Sequence, residues 1–129
     1  MSLQNYLARL TDILRSRQDI VVDDFRLALT TAGAILQARI CFYDNSMLSV
    51  VEEIEQTGLR TVRRLTYKFH YQRADGILVF RYDDAPHHRH LLSFPHHKHV
   101  GDSVIDAKPL DLADVLREID ALIYPGDSA

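Results

Sequence analysis

The sequence predicts an α+β protein: a twisted antiparallel β-sheet of about five to six strands in a meander, with an N-terminal and a C-terminal helix packed on one face. Three observations carry this. The two ends of the chain space their apolar residues at the helical period. The stretch between them is a series of runs rich in β-branched and aromatic residues. Short turn sequences separate most of those runs, and strands joined by short turns become antiparallel neighbours. The chain of 129 residues, 47% of them hydrophobic, has the size and apolar content of a single domain spanning 1–129.

Residues 3–16 place Leu3, Leu7, Leu10, Ile13 and Leu14 on one helical stripe, with Ser2 as the cap. Residues 19–31, "DIVVDDFRLALTT", read as the first strand. Gly33 opens the second, "AILQARICFY". "DNS" at 44–46 is turn chemistry, because Asp and Asn bond their own backbone and tolerate the left-handed region. "MLSVVEEIEQ" is the third strand, "TVRRLTYKFHYQ" the fourth and "ILVFRYDD" the fifth, with "TGLR" and "RADG" as turns between them. A crossing segment follows at 100–109, with room for a short strand around Val104. The C-terminal helix carries Leu112, Val115, Leu116, Ile119, Leu122 and Ile123 on one stripe, has Asp111 as N-cap, and stops at Pro125 and Gly126.

Alternation along the fourth strand assigns its faces. Leu65, Tyr67, Phe69 and Tyr71 turn towards the helices, and Lys68 and His70 turn away. On the fifth strand, Leu78, Phe80 and Tyr82 share one face, and Ile77, Val79 and Arg81 the other. Lys68, His70 and Arg81 therefore line one open surface, provided the strand register brings them together. Glu52 and Glu53 alternate, so one faces the helices and one the open side; solvation at the sheet edge is their plainest reading.

The net charge of −3 conceals an uneven distribution. Residues 60–100 hold eight of the 15 Lys and Arg, three of the 18 Asp and Glu, and all seven histidines. A basic, histidine-bearing middle inside an acidic chain is suited to an anionic partner. No run reaches the ~20 apolar residues of a membrane-spanning helix, and the first ten residues lack the pattern of a signal peptide. The single cysteine, Cys41, excludes an intrachain disulfide and fits a reducing cytoplasm, the expected location. On a strand it reads as a small packed residue.

"PHHRHLLSFPHHKH", residues 86–99, holds six of the seven histidines in two similar halves. Three chemistries fit it. His88 and His90, and His97 and His99, are i, i+2 pairs on one face of an extended chain, about 6.5–7 Å apart. If "LLSFP" folds back, these four converge on a divalent, zinc-like ion. No cysteine and no HExxH spacing supports that, and no cofactor is the simpler expectation. The second is proton transfer. Cleaving RNA needs a base for the 2′-hydroxyl, an acid for the leaving oxygen and cations on the phosphorane. His97 or His99, with His70 or Lys68 and Arg81, supply those parts. Asp83 is placed to orient an imidazole. Aromatic rings on the same strands, among them Tyr82, suit base stacking. The third is a solvated loop pinned by Phe94 and the Leu91–Leu92 pair.

"FRYDDAPHH" at 80–88 followed by "SFPHHKH" at 93–99 resembles the signature of the TumE-like toxin family. The resemblance is clearest over 67–99. The family pattern has Asp-Asn where this chain has Asp83-Asp84, and does not require His90. The resemblance implies the toxin of a type II toxin–antitoxin pair, with a small helix-turn-helix-type antitoxin as partner. Carried over by residue, the candidates are Arg81, Tyr82, Asp83, His87, His88, His96, His97, Lys98 and His99. His97 and His99 are expected as proton-transfer groups, Arg81 and Lys98 as phosphate contacts, and Asp83 as the orienting carboxylate.

Two function classes follow. One is a ribonuclease-like toxin acting on RNA through a His/Arg/Asp site. The other is a module that binds nucleic acid or protein without chemistry, or a histidine-based metal binder. A meander also leaves edge strands, the first or the fifth, able to pair across a two-fold axis into a homodimer.

Overall fold

The computed structural model describes residues 1–126. Helix α1 (Leu3–Arg15) leads into strands β1 (Ile20–Leu29), β2 (Gly33–Phe42), β3 (Met47–Gly58), β4 (Thr61–Gln72), β5 (Leu78–Asp83), β6 (His97–Val100) and β7 (Ser103–Asp106), and helix α2 (Leu112–Ile123) follows. The strands lie in sequence order in one antiparallel sheet of seven. The α+β class holds. The strand count is higher than five to six, because His97–Val100 and Ser103–Asp106 form a hairpin around Gly101 and Asp102. Gly101 takes φ +56°, the left-handed conformation such a two-residue turn demands.

Local chemistry explains the element ends. The Ser2 hydroxyl accepts from the Asn5 amide at 3.1 Å, capping α1. Asp111 and Asp114 form a reciprocal capping box on α2. Asp44 accepts from the Ser46 amide at 3.0 Å, and Asn45 sits at φ 65°, which closes the β2–β3 turn. Gly33 begins β2 against β3, where a Cβ would fall 1.9 Å from the Ile54 carbonyl oxygen.

Both helices cover the same face. Leu10 and Leu14 of α1 and Leu112, Val115, Leu116 and Ile119 of α2 join Leu36, Ile40, Leu48, Val50, Phe69 and Phe80 in one core. Leu122, expected on the buried stripe, points into solvent. Arg17 ties the end of α1 to α2 through Asp120 at 2.6 Å and also pairs with Asp19.

Two β-bulges correct the face assignments. A break in register between Glu53 and Ile54 makes Leu65 the extra residue of β4. Leu65 is therefore 41% exposed, while Arg64, opposite buried Ile54, turns to the helix side beside Glu52 and Tyr67. A second bulge opposite Tyr71 and Gln72 skips Val79, so Val79 packs towards the core. Glu52 is the larger surprise. It is 0% exposed on the helix side of β3, so edge solvation does not describe it. Glu53 on the opposite face is half-buried. Cys41 is half-buried on β2, and burial, then the nearby Asp23 carboxylate, pushes its thiol pKa up.

Candidate functional site

The register across the open face is direct. Lys68 lies opposite Asp83, and Asp83 opposite His97; His70 lies opposite Arg81, and Arg81 opposite His99. Two rows of polar side chains therefore cross β4, β5 and β6 on the face without helices. The loop 84–96 folds back over them, which brings the His88 ring 4.7 Å from that of His97 and 5.6 Å from that of His99. Lys68, Arg81, Asp83, His88, His97 and His99 share a pocket of about 440 Å³ with Thr66, Tyr67, Asp84 and His87.

Asp83 is the hub. It is buried and takes hydrogen bonds on both carboxylate oxygens. Its Oδ1 accepts from the Ala85 amide at 3.0 Å and lies 2.8 Å from His97 Nε2. Its Oδ2 accepts from Arg81 Nε at 3.1 Å and lies 3.6 Å from His99 Nε2. The other nitrogen of His97, Nδ1, lies 2.9 Å from the Pro95 carbonyl oxygen. Both nitrogens of His97 thus face acceptors. A neutral ring has one N–H and satisfies one of them; an imidazolium satisfies both. His97 is 1% exposed, so it forms the floor of the pocket with no ring nitrogen left over for a ligand.

His99 differs. The Arg81 guanidinium lies 3.1 Å from His99 Nε2 and can only donate, so this nitrogen accepts and the ring is neutral with its proton on Nδ1. Burial, then the Arg81 charge, hold the His99 pKa below the ordinary histidine value. Partial burial, then the charges of His97, His90 and His87, lower that of His88. His70 is lowered by burial, with Arg81 and Lys68 adding to it.

Not every predicted residue reaches this pocket. Tyr82 and Lys98 alternate onto the helix face, where the Tyr82 hydroxyl donates to Glu118 at 2.5 Å and Lys98 Nζ to the same carboxylate at 2.8 Å. Lys98 is thus a link from sheet to α2, on the wrong face for a phosphate in the pocket. His96 also turns inward, with Nδ1 2.8 Å from the Tyr67 hydroxyl and its ring stacked on that tyrosine. His70 shares the open face and the row of Arg81 and His99 but does not line the pocket. Of the four histidines considered for a metal, His88, His97 and His99 bring one ligand atom each within 4.8 Å of one another. His90 is exposed, its ring 6.1 Å from that of His88.

Of Phe94 and the Leu91–Leu92 pair, Leu92 does not pin the loop, being 97% exposed; Leu91 is half-buried and Phe94 39% exposed. Ser93 anchors the loop. Its hydroxyl lies 2.5 Å from the His96 carbonyl and 3.0 Å from Asp106 Oδ1, and it accepts from the Ala107 amide at 3.1 Å. Asp84 has a similar duty. Its Oδ1 accepts from the Thr66 hydroxyl at 3.0 Å and the Tyr67 amide at 3.2 Å. An asparagine oxygen accepts both bonds equally well, so the Asp-for-Asn departure leaves this joint intact. Sequence reasoning passed over the orienting carbonyl of Pro95 and the anchor at Ser93. A Gly-Asp turn between "HKHV" and "SVID" was the hairpin signal that places both.

Fold and side chains together define a single-sheet α+β protein that carries a histidine-lined, cation-flanked pocket on its uncovered face. The family model described as Toxin TumE matches residues 9–123, nearly the whole chain, and the chain belongs to the TumE toxin family. The family is one of toxins of toxin–antitoxin systems, which implies an antitoxin as partner. No curated protein and no solved structure matches the chain. Among the described residues, no helix is long and apolar enough to cross a membrane.

Proposed function

We propose that this toxin cleaves RNA in the pocket over β4, β5 and β6, with histidines as its proton-transfer groups. The observation that carries the reading is the convergence of His99, His88, Arg81 and Lys68 on one pocket, with Asp83 bridging Arg81 and the buried His97. His99 is the base: its ring is neutral, and when a phosphate draws Arg81 away, its Nε2 lone pair is freed. It takes the 2′-hydroxyl proton, the 2′-oxygen attacks phosphorus, and the 5′-oxygen leaves with a proton from protonated His88. The products are a 2′,3′-cyclic phosphate and a 5′-hydroxyl. Arg81 and Lys68 offset the charge that builds on the phosphorane. His97 acts through Asp83, fixing the carboxylate that sets Arg81 and His99. The partner of this toxin is a small helix-turn-helix-type antitoxin.

The test is the purified chain incubated with RNA and the fragment ends analysed. Cyclic phosphate ends that disappear in His99→Ala, with the fold retained, support the reading. Cleavage or growth arrest that survives His88→Ala combined with His99→Ala refutes it.

A second reading rests on the three histidine ligand atoms within 4.8 Å of one another, and it requires His97 to give up its contact with Asp83 or with Pro95. Three imidazoles suit a zinc-like divalent ion, with a fourth position open to water. The Arg81 guanidinium beside His99 opposes an added cation there. Stoichiometric metal in protein purified without a nickel column, and loss of activity with a chelator, would replace the first reading with this one.

A further inference from the structure

We propose that two copies of the chain pair antiparallel through the outer edge of β1, centred on Phe25, into one continuous sheet. The two edges of the sheet are unlike. β7 is four residues long, whereas β1 offers ten residues, with no lysine, proline or glycine to blunt it. On the helix side, β1 shares rows with core residues: Val22 lies opposite Ile40, Phe25 opposite Ala38, and Leu27 opposite Leu36. Those partners are buried, yet Val22, Phe25 and Leu27 are themselves 38–43% exposed. The core face thus runs past α1 and ends in an open apolar rim.

Charge and parity say what covers this rim. Directly opposed residues in an antiparallel pair share a face, so within the regular part of β1 the numbers of self-paired residues sum to an even value. Asp23 is skipped by a bulge between Val22 and Asp24, and its carboxylate is taken by Arg39. The only regular register that sets Arg26 against an acid of the second copy therefore places it opposite Asp24, which centres the axis on Phe25. That same register is then dictated nowhere else, yet it matches apolar with apolar. Phe25 meets its own copy, and Leu27, counted across the bulge, meets Val22 of the second copy. On the other face Arg26 is exposed and Asp24 half-buried, and the two are already within 3.3 Å of each other in one chain, so each pair becomes half of a four-charge cluster across the axis. An antitoxin has no reason to mirror this order; a second copy does.

The experiment is mass by light scattering and sedimentation over a concentration series, on the full chain without its antitoxin. The wild type is expected at twice the chain mass. Arg26→Asp puts like charges opposite each other twice and weakens the dimer by roughly tenfold. Asp24→Arg combined with Arg26→Asp reverses both charges and restores it, which a folding defect would not do. Leu27→Lys, a charge in the apolar seam, gives a monomer. A wild type of single-chain mass throughout, or a dimer indifferent to Arg26→Asp, overturns the proposal. So does a monomeric wild type that loses its antitoxin on Arg26→Asp, which would give the edge to that partner instead.

Discussion

Asp83 and His97 face each other across β5 and β6, with Oδ1 and Nε2 2.8 Å apart, both side chains buried beneath the open face. The backbone sets this contact: the two residues are a cross-strand pair. The other nitrogen of His97 is held by Pro95, in the same loop that delivers His88 to the pocket. One ring thus joins the sheet to the loop and the loop to the carboxylate.

The pair is expected to behave as a unit in stability. Asp83→Asn and His97→Gln each leave a buried polar partner short of a bond, at a cost of about 1–3 kcal/mol. Because they break the same contact, the double variant should lose less than the sum, by about 0.5–3 kcal/mol. Urea melts of the four proteins measure this. Strict additivity would mean that the contact contributes nothing.

His99 should titrate below the ordinary histidine value of about 6.5, since burial and then Arg81 disfavour its charged form. Arg81→Gln removes the second cause and should move the midpoint upward, as read from the His99 ring resonances by NMR. His88 and His70 are depressed as well. For all three, the unfolded chain takes up a proton first as the pH falls. Their contribution to stability is present above about pH 6.5 and is lost on acidification through the lower folded values. Thermal melts between neutral and mildly acidic pH should show that loss. In the proposed reaction, one depressed histidine must be protonated while the other is not, so the activity maximum belongs on the acidic side of about 6.5.

Much of this was legible because alternation is a strong signal. The helices, strands β1 to β5 and the turn at Asp44 follow from periodicity and turn chemistry alone. The shared face of Lys68 and His70 followed too, although only the register could set Arg81 beside them. What was hidden was hidden for physical reasons. A bulge inserts one residue without changing composition, so Leu65 read as core. "HKHV" is four residues of polar and apolar character mixed, too short to register as a strand beside so many histidines, so Lys98 read as part of a loop rather than as the helix-facing residue between two pocket histidines.

The two lysines should therefore separate cleanly. Lys98→Ala removes a partly exposed pair with Glu118 and should cost about 0.2–1 kcal/mol of stability, with activity on RNA unchanged. Lys68→Ala should leave the melt unchanged, weaken RNA binding and flatten its salt dependence by about one unit of slope. Binding measured across a salt series, beside a melt of each variant, tests both. A Lys98→Ala variant that loses RNA affinity with its fold intact would move the anion site to the helix face.

Glu52 carries the last expectation. It is 0% exposed, donated to by the Tyr6 hydroxyl on Oε1, 3.8 Å from Arg64, and without a hydrogen bond on Oε2. Burial raises its pKa; the Tyr6 bond and Arg64 only partly counter this. A carboxyl group with a raised folded value favours the native state while protonated in both states, and that advantage fades as the pH climbs from the unfolded value of about 4.3 through the folded one. Glu52→Gln keeps an oxygen for Tyr6 and removes the buried charge. Its stability relative to wild type should therefore improve steadily from about pH 4.3 upward, as read from paired thermal melts. A difference that stays flat with pH would show that Glu52 is not held against its charge, and that Arg64 and Tyr6 offset its burial in full.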